Sequence, residues 1–305
     1  AARAFARAWG ALAAGEPPDT VMRAELAAAV VATRLGAIDA EFLRSEHLPP
    51  GQVDDVLRRG WAAATATLSR VVDAIGDRPS TTEWTPYPAL LATVATAADA
   101  ADENAIAPGL RNYAARAQHA TAPAFVARLA EQPRAGPTRP DTPRLMLVPA
   151  ETHAEHCWAV AVTAALVAPA YDADPARVFL AGLAHHLANA WLPDAGDAAD
   201  VALSGALDRL ATTLRERALA QLSPELRDTV EDALEIPPDT RSPEAHAFHA
   251  ADALDRVFEM EWFARAAAFT LDTALGEGVG AFDILHPGPN QDVERTALRA
   301  AGLYP

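Results

Sequence analysis

Proline and glycine cut an alanine-rich chain into pieces about one helix long, and this punctuation constrains the fold more than any other feature. Alanine has the highest helix propensity because it loses no side-chain entropy. It dominates an apolar content of 50% in 305 residues, and alternating β-branched runs are few. The chain therefore reads as all-α, with apolar residues enough for two domains or one large one. Breakers at Pro17-Pro18, Pro49-Pro50, Asp77-Arg-Pro79 and Pro86–Pro88 delimit expected helices at 2–14, 19–46, 50–76, 87–101 and 108–119. Within 50–76, Val53, Val56, Leu57, Trp61, Leu68, Val71, Val72 and Ile75 recur every three or four residues, which is one buried stripe. No chemical motif falls in residues 1–119. A proline-rich stretch at 132–143 reads as an extended loop. Further helices are expected at 151–170, 175–191, 199–221, 223–235, 242–275 and 290–302. Trp61 and Trp84, and Trp158, Trp191 and Trp262 in the second half, read as core aromatics.

The formal charge of −16 and pI near 4.9 argue against a nucleic-acid polymer as partner, because phosphate backbones need a basic footprint. All 25 basic residues are arginine. No apolar run reaches the ~18 residues of a membrane span. A single cysteine, Cys157, excludes an intrachain disulfide. These features suit a cytoplasmic protein that contacts neither nucleic acid nor membrane.

Histidine is concentrated in the second half. His153 and His156 are one helical turn apart. His185 and His186 are consecutive, about 100° apart around a helix axis. His246, His249 and Asp252 follow at steps of three, so His249 and Asp252 can share a site while His246 fits less easily. Imidazole and carboxylate together suit zinc, manganese, iron or cobalt. His47, His119 and His286 stand apart and read as surface or capping groups.

Ordered motifs in this half resemble the HD-domain superfamily of metal-dependent phosphohydrolases, and within it the 5′-deoxynucleotidase-like branch. They are Leu129-Ala-Glu-Gln-Pro-Arg134, Glu151-Thr-His-Ala-Glu-His-Cys-Trp158, His185-His-Leu-Ala-Asn-Ala190, Pro193-Asp194 and Ala251-Asp-Ala-Leu254. The resemblance covers about residues 120–275 and implies a C-terminal HD-domain-like helical bundle (120–305), which leaves residues 1–119 as an additional N-terminal helical domain. It implies a divalent ion (Mn, Co, Zn or Fe) on His156, His185 and Asp252, with His186 in place of the ligand aspartate. His153 and His249 would stand behind these ligands. Asp194 and Asn189 would occupy the catalytic positions and Arg134 would hold substrate phosphate. A small phosphate compound, nucleotides first, is the implied substrate, and a homodimer the implied assembly.

Two departures matter physically. His186 removes one negative charge from the expected ligand set. Asn189 replaces a glutamate and cannot exchange a proton near neutral pH. An inactive binding or assembly protein is therefore an alternative. The remaining two-histidine, one-carboxylate set also suits a non-haem iron oxygenase, against which the missing aspartate counts.

Overall fold

The computed structural model describes residues 1–76, 103–118, 120–135, 148–194, 202–203, 205–267 and 288–300. Among these the chain is all-α, with one isolated antiparallel bridge, Pro133 to Thr152, and no strand. No described helix is long and apolar enough to cross a membrane. The chain divides into two compact units, Arg7–Ala122 on one side and Ala1–Ala6 with Pro123–Pro305 on the other.

Helices of the first unit are α1 (Ala2–Ala13, begun in the other unit), α2 (Pro18–Leu35), α3 (Ala40–Ser45), α4 (Pro50–Gly76) and α5 (Glu103–Gln118). The apolar faces of α2 to α5 meet in one core that includes Val31, Leu43, Val53, Leu57, Trp61 and Leu110. The expected single helix at 19–46 is two. Gly36 takes φ +58° and closes α2, and the Asp39 side chain then accepts the Phe42 amide to open α3. Beside the core, Arg7 forks onto both oxygens of the fully buried Glu25, each at 2.8 Å, and the Tyr113 hydroxyl donates to Glu25 at 2.9 Å. The expected helix at 87–101, Trp84, His119 and His286 lie outside the described residues.

The second unit runs α6 (Ala124–Glu131), α7 (His153–Val167), α8 (Pro175–Ala184), α9 (Gly205–Leu219), α10 (Pro224–Ala233), α11 (Pro243–Ala267) and α12 (Gln291–Ala300). Helix α6 was not expected, because its eight residues leave little room for a helical period. The helix expected at 175–191 ends at Ala184 and gives way to a 3₁₀ turn at Leu187–Ala190. Trp262, expected in the core, is 71% exposed.

Helix α7 is the central element. A capping box starts it: Thr152 accepts the Glu155 amide, and the Glu155 carboxylate accepts the Thr152 amide. Most of its residues are buried, because α6, α8 and α11 all pack on it. The approach of α8 is the tightest. A Cβ placed on Gly182 would lie 2.5 Å from the Ala161 Cα and 2.6 Å from its nitrogen.

Gly182→Ala is therefore expected to lower stability by about 1–3 kcal/mol through overpacking. Gly109→Ala in α5, where a new Cβ meets nothing within 4 Å, should raise it by about 0.5–1 kcal/mol. Urea denaturation of both variants checks the two signs.

Candidate metal centre

The site is built where the start of α7, the end of α8 and the middle of α11 meet. The capping box makes His153 the first residue of α7 and so puts His156 one turn in. Next to it, the Arg134 amide donates to the Glu151 carbonyl and the His153 amide to the Gln132 carbonyl. This pair of bonds fixes the segment after α6, and with it Arg134, beside the start of α7. His185 caps the C-terminus of α8, and His186 leads into the 3₁₀ turn. Asp252, Asp255 and Glu259 stand at i, i+3 and i+7 of α11, on one face.

His156 is the hub, and it is fully buried. Its Nε2 lies 3.0 Å from His185 Nε2 and 3.3 Å from Asp252 Oδ1. Two ligands held about 2.1 Å from one ion at a right angle are about 3.0 Å apart. Ligand atoms of His156, His185 and His186 all lie within 4.8 Å of one another.

Each imidazole is oriented through its other nitrogen. His185 Nδ1 donates to the Gly182 carbonyl at 2.8 Å. His186 Nδ1 is 2.9 Å from Asn189 Oδ1, and Asn189 Nδ2 donates to the Leu192 carbonyl at 3.2 Å. With its amide nitrogen committed to a carbonyl, Asn189 offers His186 an acceptor, so the proton sits on Nδ1 and Nε2 keeps its lone pair. His156 Nδ1 is 2.7 Å from Asp255 Oδ2 and 2.8 Å from Arg134 Nη1. Donation to Asp255 again frees Nε2. A carboxylate behind a ligating histidine fixes its tautomer and raises its basicity.

A divalent ion fits this donor set. Once His156 has given up its proton, three ring nitrogens within 4.8 Å of one another can ligate, the Asp252 carboxylate lies 3.3 Å from one of them, and the 3.0 Å nitrogen pair has the spacing of two ligands on one ion.

On the Nδ1 side of His156 the charges are dense. Arg134 Nη1 donates to Glu151 at 2.7 Å and to Asp255 at 3.3 Å, and Glu259 lies 3.9 Å away. Burial and the Asp255 charge push Glu151 up to about 7, against the pull of His156 and Arg134. Glu151, His156 and Asp255 form a second group with ligand atoms within 4.8 Å. Asp255 and Glu259 were not singled out in the sequence, although their spacing from Asp252 along one helix face marks them.

The titration of the histidines divides them. Burial lowers His185 to about 3 and His186 well below the ordinary range. Burial likewise lowers His153 to about 4, against the opposing Asp194 charge. Burial and Arg134 push His156 down as well, yet its bonds to Asp252 and Asp255 hold it above the ordinary value. Burial alone would raise Asp252, but His156 and Arg256 keep it well below the carboxylate range. Cys157 is buried, and burial pushes its thiol up, so it is a poor nucleophile.

The remaining sequence candidates are placed as follows. His153 is fully buried, its ring 4.7 Å from that of His186, and neither of its nitrogens has a hydrogen-bond partner among the described residues. Asp194 accepts the Ala135 amide at 2.8 Å and lies 3.9 Å from His153 Nε2. His249 is away from the cluster, its Nε2 2.7 Å from Asn290 Nδ2, with the Phe248 ring in edge contact with both His185 and His249. His246 faces the Thr240 carbonyl.

Residues 126–271 match the family model for the HD domain. The match spans α6 to α11 and so contains the whole histidine cluster. The match covers a little under half of the chain and makes this part of it similar to the HD domain. No curated protein and no solved structure matches the chain.

Two outcomes follow for the metal-free protein. His153 has a folded pKa of about 4, below the unfolded value of about 6.5. The unfolded chain takes the proton first, so stability falls as pH drops from about 6.5 to about 4. His153→Leu should remove this share, and its stability gain should grow toward acid by on the order of 1 kcal/mol per pH unit. Denaturation at a series of pH values measures it. His156 must lose its proton to bind an ion, whereas His185 and His186 are already neutral. Calorimetric titration with Mn²⁺ below the His156 pKa should therefore release about one proton per ion, and affinity should rise about tenfold per pH unit.

Proposed function

We propose that the second unit is a metal-dependent phosphohydrolase acting on small phosphate compounds, with nucleotides as the class the sequence resemblance favours. The observation that carries this reading is His156 Nε2, set 3.0 Å from His185 Nε2 and 3.3 Å from Asp252 Oδ1, with a cleft of about 260 Å³ lined by His185, Asn189 and Asp194 beside it. His156, His185, His186 and Asp252 would hold the ion. A bound divalent ion would acidify a water and polarise the phosphoryl group.

The chain's own residues supply the rest. Asp255 and Gly182 hold two imidazoles in the tautomer that leaves Nε2 free. Asp194, on the cleft wall, is the group positioned to pass a proton to the leaving oxygen. Asn189 cannot do so, and its amide instead orients His186. Three neutral imidazoles and one carboxylate carry one negative charge, so with a bound dication the site would carry one net positive charge. That favours an anionic substrate at the open side.

A non-catalytic binding protein is the second reading. Asn189 favours it, since both ends of its amide are engaged at a position where proton transfer is expected. The two readings separate by experiment. Purified protein, first analysed for metal content, is assayed for phosphate release from nucleoside monophosphates with Mn²⁺, Co²⁺, Zn²⁺ or Fe²⁺. Hydrolysis predicts release that drops at least about 100-fold in His156→Ala and Asp252→Ala, each with unchanged helix content by circular dichroism. Metal binding without release under any ion would establish the second reading.

A further inference from the structure

The family resemblance puts the substrate phosphate on Arg134, but the geometry gives that side chain other work. It is 8% exposed, and its Nη1 is held by Glu151 and Asp255 on the Nδ1 side of His156, whereas the open cleft beside His185 does not have Arg134 in its lining.

A different arginine lines the open side. The cleft beside His185 lies between the 3₁₀ turn region, with Asn189, Leu192 and Asp194, and α9, which packs on that turn. Helix α9 contributes Leu207, Ala211 and Arg215 at i, i+4 and i+8, so one face of the helix forms the wall. Among the described residues that line the cleft, Arg215 is the only cationic one. It is exposed, and its side chain makes no hydrogen bond or ion pair among the described residues. The neighbouring charges are occupied elsewhere. Glu216 is held by Arg227 at 2.7 Å, and Arg217 lies over the Trp191 ring at 4.5 Å. Asp194, the acid of the cleft, accepts the Ala135 amide.

We propose that Arg215 is the anion-binding residue of this cleft, and that the ligand is a phosphomonoester with a compact apolar body. A guanidinium binds a phosphoryl group through paired charge-assisted hydrogen bonds. The walls away from it are Leu192, Pro193, Leu207 and Ala211, which offer contact to carbon rather than hydrogen bonds. One cation matches one phosphoryl group. A longer phosphate chain would set further negative charge against Asp194 with no second cation in the lining. The choice of phosphate among anions rests on the phosphohydrolase reading above.

The test uses the full chain, stripped of metal with chelator so that binding is seen without turnover. Phenyl phosphate, inorganic phosphate and phenol are titrated calorimetrically into the wild type, Arg215→Ala and Arg215→Lys. The expected result is phenyl phosphate binding that weakens tenfold or more in Arg215→Ala and is partly restored in Arg215→Lys, with phenol affinity unchanged. Inorganic phosphate should bind more weakly than phenyl phosphate and depend on Arg215 in the same way. Wild type that does not bind phenyl phosphate, an Arg215→Ala variant that binds it as tightly, or an equal loss of phenol would each overturn the proposal. A separate Mn²⁺ titration judges the hydrolase reading. If Mn²⁺ fails to bind while phenyl phosphate still depends on Arg215, the hydrolase reading falls and the anion site stands. If Mn²⁺ binds and phenyl phosphate is indifferent to Arg215, the reverse holds.

Discussion

The second unit depends on one imidazole that works on both of its sides. His156 meets His185 and Asp252 through Nε2, and Asp255 and Arg134 through Nδ1. The ring is fully buried, so each nitrogen must be satisfied by the protein or by what the protein binds. The carboxylates on the Nδ1 side offset the burial of Arg134, and Arg134 in turn makes room for Glu151, Asp255 and Glu259 close together. Removing one partner would leave the others as uncompensated buried charge. The network is therefore a single electrostatic unit, and it fixes which nitrogen of His156 looks into the cluster.

That arrangement exists because α7 and α8 touch backbone to backbone. Gly182 permits the contact with Ala161, and its carbonyl then receives the Nδ1 proton of His185. The same residue thus sets the distance between two helices and the tautomer of a candidate ligand. The 3₁₀ turn that follows swings His186 and Asn189 to the same side. These two residues, read in the sequence as departures from a motif, are paired here: the Asn189 amide orients the His186 imidazole.

In the first unit the same logic appears, with no cluster of metal-binding side chains among the described residues. Arg7, Glu25 and Tyr113 bury two charges and a phenol together, and the fork of Arg7 on Glu25 satisfies both carboxylate oxygens. Burial, with the Glu25 charge, pushes the Tyr113 hydroxyl up, so it remains a donor. Such a pair adds little net stability but penalises any packing that separates its members. It ties α1, α2 and α5 to one register.

What the sequence determined by itself is local. Proline, glycine and capping residues set most helix boundaries, because their effect acts through a few neighbouring dihedrals. Helical spacing placed His153 with His156, and His249 with Asp252, in reach of one another. It did not say that Phe248 and Asn290 would engage His249 instead, nor that Gly36 would divide a helix whose apolar pattern continues past it. The tertiary structure decided which faces converge, since partners such as Asp255 come from 99 residues away. It also decided on which side of His156 Arg134 lies, and it brought Arg215, which no motif marks, to the cleft beside His185. A side chain's chemistry is written in the chain, but its charge state, tautomer and direction depend on neighbours that only packing supplies.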